Sequence, residues 1–173
     1  MTEKLTTIGR NTPVDIIGHA QGVPAKVDTG ADSSSIWASH VTINEQGMLS
    51  FVLFDVKSPF YTGNIITTDD YRIAAVRSST GHEQIRYKVK LSLSVNGRNV
   101  RAAFNLSDRS RNKFPILIGR RTLAHRFLVD VSLVNYREIE TEEKLIIDAG
   151  KLNKLSQTNP YDFYKKFYAK DIT

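Results

Sequence analysis

The sequence predicts an all-β chain: a small, largely antiparallel barrel, closed or partly open, with one short helix and a helical C-terminal tail. Three observations predict it. Residues 83–95 alternate, placing Ile85, Tyr87, Val89, Leu91, Leu93 and Val95 on one face of a strand. Asn96-Gly97 then supplies the residue pair that a two-residue hairpin turn requires, and Arg98 to Leu106 returns as the partner strand. Arg120 to His125 is the single convincing helix within the domain.

The remaining elements follow in chain order. Val14 to Ile17 and Val23 to Val27 flank the turn-like Gly18-His19-Ala20-Gln21-Gly22, a hairpin that delivers Asp28 at its end. Phe51 to Val56 reads as a further strand. Arg77 to Glu83, rich in small residues with Gly81 near its tip, lies between two strands. Phe114-Pro115-Ile116-Leu117-Ile118 is a short apolar strand closed by Gly119 and Arg120. Residues 1–136 form the domain, and residues 137–173 a C-terminal extension of different character. In that extension Glu138, Glu140, Glu142 and Glu143 make an acidic run, and Leu145-Ile146-Ile147 adds a strand. Asn159-Pro160 caps an amphipathic helix that gathers Tyr161, Phe163, Tyr164, Phe167 and Tyr168 beside Lys165, Lys166 and Lys170. Packing on the domain or on a partner is the expected role of this helix.

Composition bounds the class. At 173 residues, with 40% hydrophobic and 24% charged residues, the chain is long enough to bury one ordinary core. It holds no cysteine, which removes disulfides and thiolate metal ligands and fits a reducing, cytoplasmic compartment. Its apolar runs fall far short of a membrane span, and Met1-Thr2-Glu3-Lys4 does not open a signal peptide, so no membrane partner is expected. Charge is uneven: residues 1–136 carry 17 Lys and Arg against 11 Asp and Glu, whereas residues 137–173 carry seven of each. Eight basic residues between Arg98 and Arg126 face only Asp108. Such a cluster binds nucleic acid or an acidic peptide, or forms a solvated surface. No aromatic stacking motif or recognition helix accompanies it, so nucleic acid is not the expected partner.

Asp28-Thr29-Gly30-Ala31 carries the chemistry. It places one carboxylate at the end of a strand, followed by a small hydroxyl residue and a glycine. That order suits a tight loop in which backbone donors hold the acid and the glycine takes a positive φ. Together with Phe114-Pro115-Ile116-Leu117-Ile118-Gly119-Arg120, the motif resembles the retropepsins. The resemblance extends through Val76-Arg77-Ser78-Ser79-Thr80-Gly81-His82-Glu83, Asn105-Leu106-Ser107-Asp108-Arg109 and Phe127-Leu128-Val129-Asp130. These segments are similar to a bacterial retropepsin-like family often labelled "ATP-dependent zinc protease", over roughly Ile8 to Ser132.

The resemblance implies a retropepsin-type barrel and an aspartic endopeptidase acting on a peptide or protein. A two-lobed enzyme needs about twice this length, so a single Asp-Thr-Gly implies a homodimer. Each chain would lend Asp28 to a catalytic pair, with Thr29 and Gly30 shaping the loop. Two carboxylates about 3 Å apart share a proton, one acting as base toward a water and the other as acid toward the substrate carbonyl. Ala31 and Asp32 would meet substrate. Ile118, Gly119 and Arg120 would buttress the loop from behind, with Arg120 bonding nearby acids. Residues 77–83 would form the flap, and Ser78, Ser79, Thr80, Gly81 and His82 would touch substrate there. Ala31 lacks the hydroxyl that pepsin-type loops place beside the acid, which predicts a less acidic optimum.

The zinc and ATP in the family's label find no support in the residues. His19, His40, His82 and His125 are scattered and no His-Glu-x-x-His occurs. The glycine-rich loop ending in Gly-Lys-Ser/Thr that cradles phosphates is also missing. No cofactor or metal is expected. The competing class is a binding module that keeps the protease scaffold and recognises peptides or a protein without cleaving them.

Overall fold

The computed structural model describes residues 5–77, 83–136, 154 and 157–162. The chain divides into two compact units, Met1–Arg137 and Glu138–Thr173. In chain order the first unit holds β1 (Thr6–Gly9), β2 (Asn11–Ile16), β3 (Ala20–Asp28), β4 (Ser34–Ile43), β5 (Leu49–Leu53) and β6 (Ile65–Thr68). It continues with β7 (Tyr71–Arg77), β8 (Glu83–Val95), β9 (Arg98–Ser107), β10 (Ile116–Gly119), the single-turn α1 (Arg120–Leu123) and β11 (Phe127–Asp130).

Hydrogen bonding runs β10-β3-β2-β8-β9-β4 and returns from β4 to β10, so six strands close into a barrel. Most neighbours are antiparallel; β3 with β10, β4 with β9 and β1 with β11 are parallel. Closure follows from one insertion: β10 lies between β3 and β4, which are consecutive in the chain. The link from β3 to β4 must therefore cross the end of β10. That crossing is the loop carrying the Asp-Thr-Gly motif.

Alternation along the strands fills the interior. Val14, Val23, Ala25, Ile36, Leu93, Val95, Phe104 and Ile116 are all fully buried. Each large apolar side chain taken out of water contributes roughly 1.5–3 kcal/mol. Asn96 and Gly97 take φ of 47° and 77°, the left-handed pair that a tight hairpin demands, and β9 returns along β8 from Val95↔Arg98. On β8 the apolar face divides. Val89 to Val95 lie inside the barrel, but Ile85 is 74% exposed, because that half of the strand projects beyond the barrel with β7.

Three elements are shorter than the sequence predicts; the apolar strand expected from Phe114 opens only at Ile116. The strand expected over Phe51 to Val56 stops at Leu53. Phe54 turns to φ 65°, donates its N–H to the Trp37 carbonyl and stacks its buried ring edge-on to Trp37, so packing overrides strand continuation. The helix expected over Arg120 to His125 ends at Leu123. Arg126 donates to the carbonyls of Arg121 and Thr122 and so satisfies the end of the turn.

In the second unit, the Asn159 side chain accepts the Asp162 N–H at 3.3 Å, and residues 160–162 are helical. The strand expected over residues 145–147 and the aromatic residues beyond Tyr161 lie outside the described residues. Among the described residues no helix is long and apolar enough to cross a membrane.

Candidate active site

Register places the acid. In the parallel pair β3–β10, Val27 lies opposite Ile118 and Asp28 opposite Gly119, so the apolar strand ends level with the carboxylate. Asp28 Oδ1 accepts the N–H groups of Gly30 and Ala31, each at 3.1 Å. The loop therefore aims the acid with backbone dipoles. The Asp28 side chain keeps 29% of its surface open, and Lys26 Nζ stands 3.7 Å from Oδ2. Both groups are solvent-accessible, so this ion pair adds little stability. Thr29 and Gly30 are exposed beside the acid.

Gly30 corrects one expectation. It is absent from the residues with positive φ, and a Cβ built on it would sit in ordinary contact, 3.5 Å from Asp28 Oδ1. Within one chain, Gly30 is neither a left-handed turn residue nor sterically forced. Its N–H is what the loop uses.

Gly119 is forced. A Cβ there would lie 2.6 Å from the Ser33 carbonyl carbon and 2.9 Å from the Ala31 oxygen, both backbone atoms that cannot swing away. Behind the loop, Arg120 N–H donates to the Ala31 carbonyl at 2.8 Å. Gly119 N–H donates to Ser34 Oγ at 3.0 Å, and Ser34 Oγ meets Thr122 Oγ1 at 2.7 Å in a buried contact. Arg120 reaches Asp32 Oδ1 through Nε at 2.9 Å and Nη2 at 2.8 Å, while Arg121 Nη2 takes Asp32 Oδ2 at 2.7 Å. The Arg120 hydrogen bond, aided by the Arg121 charge, holds the Asp32 carboxyl below its usual range.

The structure thus gathers Asp28, Gly30, Ala31, Asp32, Gly119 and Arg120 in one cluster, with Ile118 in the core behind them. Sequence reasoning missed Lys26, Ser34, Arg121 and Thr122. Lys26 was detectable: two residues before Asp28, it shares that residue's face of the strand. The Ser34–Thr122 bond joins residues 88 apart and leaves no local signal. Further along, Arg109 ties β4 to the entry of β10, donating to the Phe114 carbonyl and to Ser35 Oγ, each at 3.0 Å. Part of the basic run from Arg98 to Arg126 is therefore structural. Ser78, Ser79, Thr80, Gly81 and His82 lie outside the described residues. The strands on either side of them pair up to Arg77↔Glu83. Beside the Asp28 loop, a cavity of about 500 Å3 opens between Ser33, Ser34 and Thr122 and the strand residues Arg72, Lys88 and Arg101.

One chain therefore presents a single, partly open carboxylate on a backbone-held loop, braced by a buried hydroxyl pair and an arginine-carboxylate fork. Two curated relatives are named probable alpha-L-glutamate ligase. That of Shewanella halifaxensis is 25% identical over 146 residues, covering 79% of this chain and 32% of its own length. That of Desulfotalea psychrophila is 27% identical over 120 residues, covering 65% of this chain and 25% of its own length. The chain spans about a third or less of these relatives. The crystal structure of a Legionella pneumophila protein of unknown function, Lpg0085, matches with a TM-score of 0.58 at 23% identity, over 76% of this chain and 98% of that one; the likeness is one of fold. The family described as "Retropepsin-like aspartic endopeptidase RimB" matches residues 7–140. With most of its length matched, the chain belongs to the RimB-like family of retropepsin-like proteins.

Proposed function

We propose that the chain is an aspartic endopeptidase that works as a homodimer, with one Asp28 from each copy forming the catalytic pair. The observation that carries this reading is the aim of Asp28: two backbone N–H groups fix Oδ1 and leave the side chain partly open at the barrel surface. A lone carboxylate lacks the acid-base division that peptide hydrolysis needs. A second copy supplies it. Two such carboxylates close together share one proton and titrate as a unit. The ionised one draws a proton from a bound water, whose oxygen attacks the amide carbon, while the protonated one donates to the carbonyl oxygen. Collapse of the tetrahedral species then releases the amine, its nitrogen taking the proton drawn from the water while a gem-diol hydroxyl returns its proton to the other carboxylate, and no covalent enzyme intermediate forms. In such a dimer the exposed Thr29 would send its hydroxyl to the partner's backbone and set the separation of the loops. A flap at residues 77–83, as the resemblance implies, would exclude water from above.

The substrate class we propose is a carboxylate-rich peptide. Support comes from the name of the relatives, since a ligase of glutamate makes an acidic product, and from the basic balance of residues 1–136. Absence of cysteine supports a cytoplasmic site of action. A peptide-library digest by the purified chain beside Asp28→Asn, with particle mass measured in parallel, tests the reading. Cleavage by wild type alone and a mass of two chains are expected. Equal cleavage by both proteins would remove the mechanism, and binding without cleavage by either would make the chain a recognition module.

A further inference from the structure

The cavity beside the Asp28 loop carries a charge pattern that the catalytic pair does not use. Its walls include Arg72, Lys88, Lys90, Arg101, Arg121 and Arg126, against Asp70 as the one lining acid among the described residues. Most of these cations are occupied. Asp70 Oδ2 lies 3.3 Å from Lys90 Nζ and 4.0 Å from Arg101 Nη2. Arg121 grips Asp32, and Arg126 closes the end of α1.

Arg72 and Lys88 differ from the rest. They stand directly opposite each other across β7 and β8, and among the described residues no carboxylate lies within ion-pair range of either. Like charges facing each other across a strand pair destabilise it. An anion seated between them turns that repulsion into two attractions. The cavity also takes Ser33, Ser34 and Arg121 from the Asp28 loop and its brace, but not Asp28 itself, so it adjoins the loop without including the acid.

Resting on the endopeptidase reading above, we infer that Arg72 and Lys88 form a subsite for a substrate carboxylate and are the specificity-determining residues for acidic peptides. A nucleic acid is the rival polyanion. The recess takes Ser33 from the loop that carries Asp28, the acid proposed to cleave peptides, which favours the peptide.

Binding to the full chain carrying Asp28→Asn tests the subsite without requiring turnover. Fluorescence anisotropy would be read with a labelled oligoglutamate peptide, its glutamine counterpart and a single-stranded RNA of equal charge. The glutamate peptide is expected to bind at least about tenfold more tightly than the glutamine one, a difference of 1.4 kcal/mol. Arg72→Gln with Lys88→Gln should bring it down to the affinity of the glutamine peptide, whereas Lys90→Gln, whose partner is Asp70, should weaken it less. Lys88→Glu alone should also abolish the preference, and it provides the answer if the double variant does not fold. Equal affinity for the two peptides, or a preference that survives these changes, overturns the subsite. So does RNA binding that is tighter than peptide binding and is lost in the same variants. If the wild-type chain cleaves nothing while the glutamate preference holds, the endopeptidase reading falls and the subsite stands.

Discussion

Asp28 is held by two backbone N–H groups, which makes Asp28→Asn a clean probe. The asparagine oxygen can accept the same two bonds, so thermal unfolding should place the variant within about 0.5 kcal/mol of wild type while activity disappears. Gly119→Ala acts in the opposite way. Its methyl group would press on the Ser33 and Ala31 backbone, and a loss of about 2 kcal/mol or more is expected by denaturant unfolding. Wild-type stability in Gly119→Ala would show that the loop does not pack as described. Asp32 yields a pH prediction. Its folded pKa lies below the ordinary value of 3.8, so its contribution is fully present above that value and is lost as pH falls through the lower folded one. The stability gap between wild type and Asp32→Asn should therefore be constant near neutrality and shrink only in acid below 3.8. A gap that closes between pH 5 and 7 would point to another group. At this scale the motif itself was legible, because Asp-Thr-Gly-Ala and Ile-Gly-Arg are contiguous. Lys26 and Arg121 escaped notice because a charged residue next to a motif looks like any surface charge until a strand face or a helical turn orients it.

Among the elements, the join of β4, β10 and α1 depends on one hydroxyl. Ser34 is 1% exposed, accepts the Gly119 N–H and meets Thr122. Ser34→Ala leaves both buried groups unpartnered and should cost about 1–3 kcal/mol, measured by urea unfolding. Ser34→Thr, which keeps the oxygen, should recover part of the loss. β8 and β9 were legible because their alternation is regular and Asn96-Gly97 permits one kind of turn. β4 was not. Its buried first turn is Ser34-Ser35, polar residues made tolerable by Thr122 and Arg109, whose contributions arrive from distant segments. Phe54 was misread for a similar reason: its aromatic character suits a strand, but the contacts with Trp37 and Phe60 bend the backbone instead. Parallel pairing of β3 with β10 is a further case, since nothing near Ile116 names its partner.

For the whole molecule, the barrel class follows from many short strands and few helices, and closure follows from inserting β10 between β3 and β4. Symmetry is a different kind of property, because it depends on a surface meeting its own copy. In the proposed pair the Ala31 side chain would offer no hydroxyl to the shared proton, and its N–H is already engaged. A pH-rate profile for peptide cleavage should accordingly peak nearer neutrality than a pepsin-type enzyme's, and a peak in strong acid would contradict the role given to Ala31. Most direct is a mixing experiment, in which Asp28→Asn chains are equilibrated with wild-type chains at constant total concentration and peptide cleavage is followed. If each active particle needs an Asp28 from both copies, activity falls with the square of the wild-type fraction. A decline in simple proportion to that fraction would mean that one chain is sufficient, contradicting the shared catalytic pair.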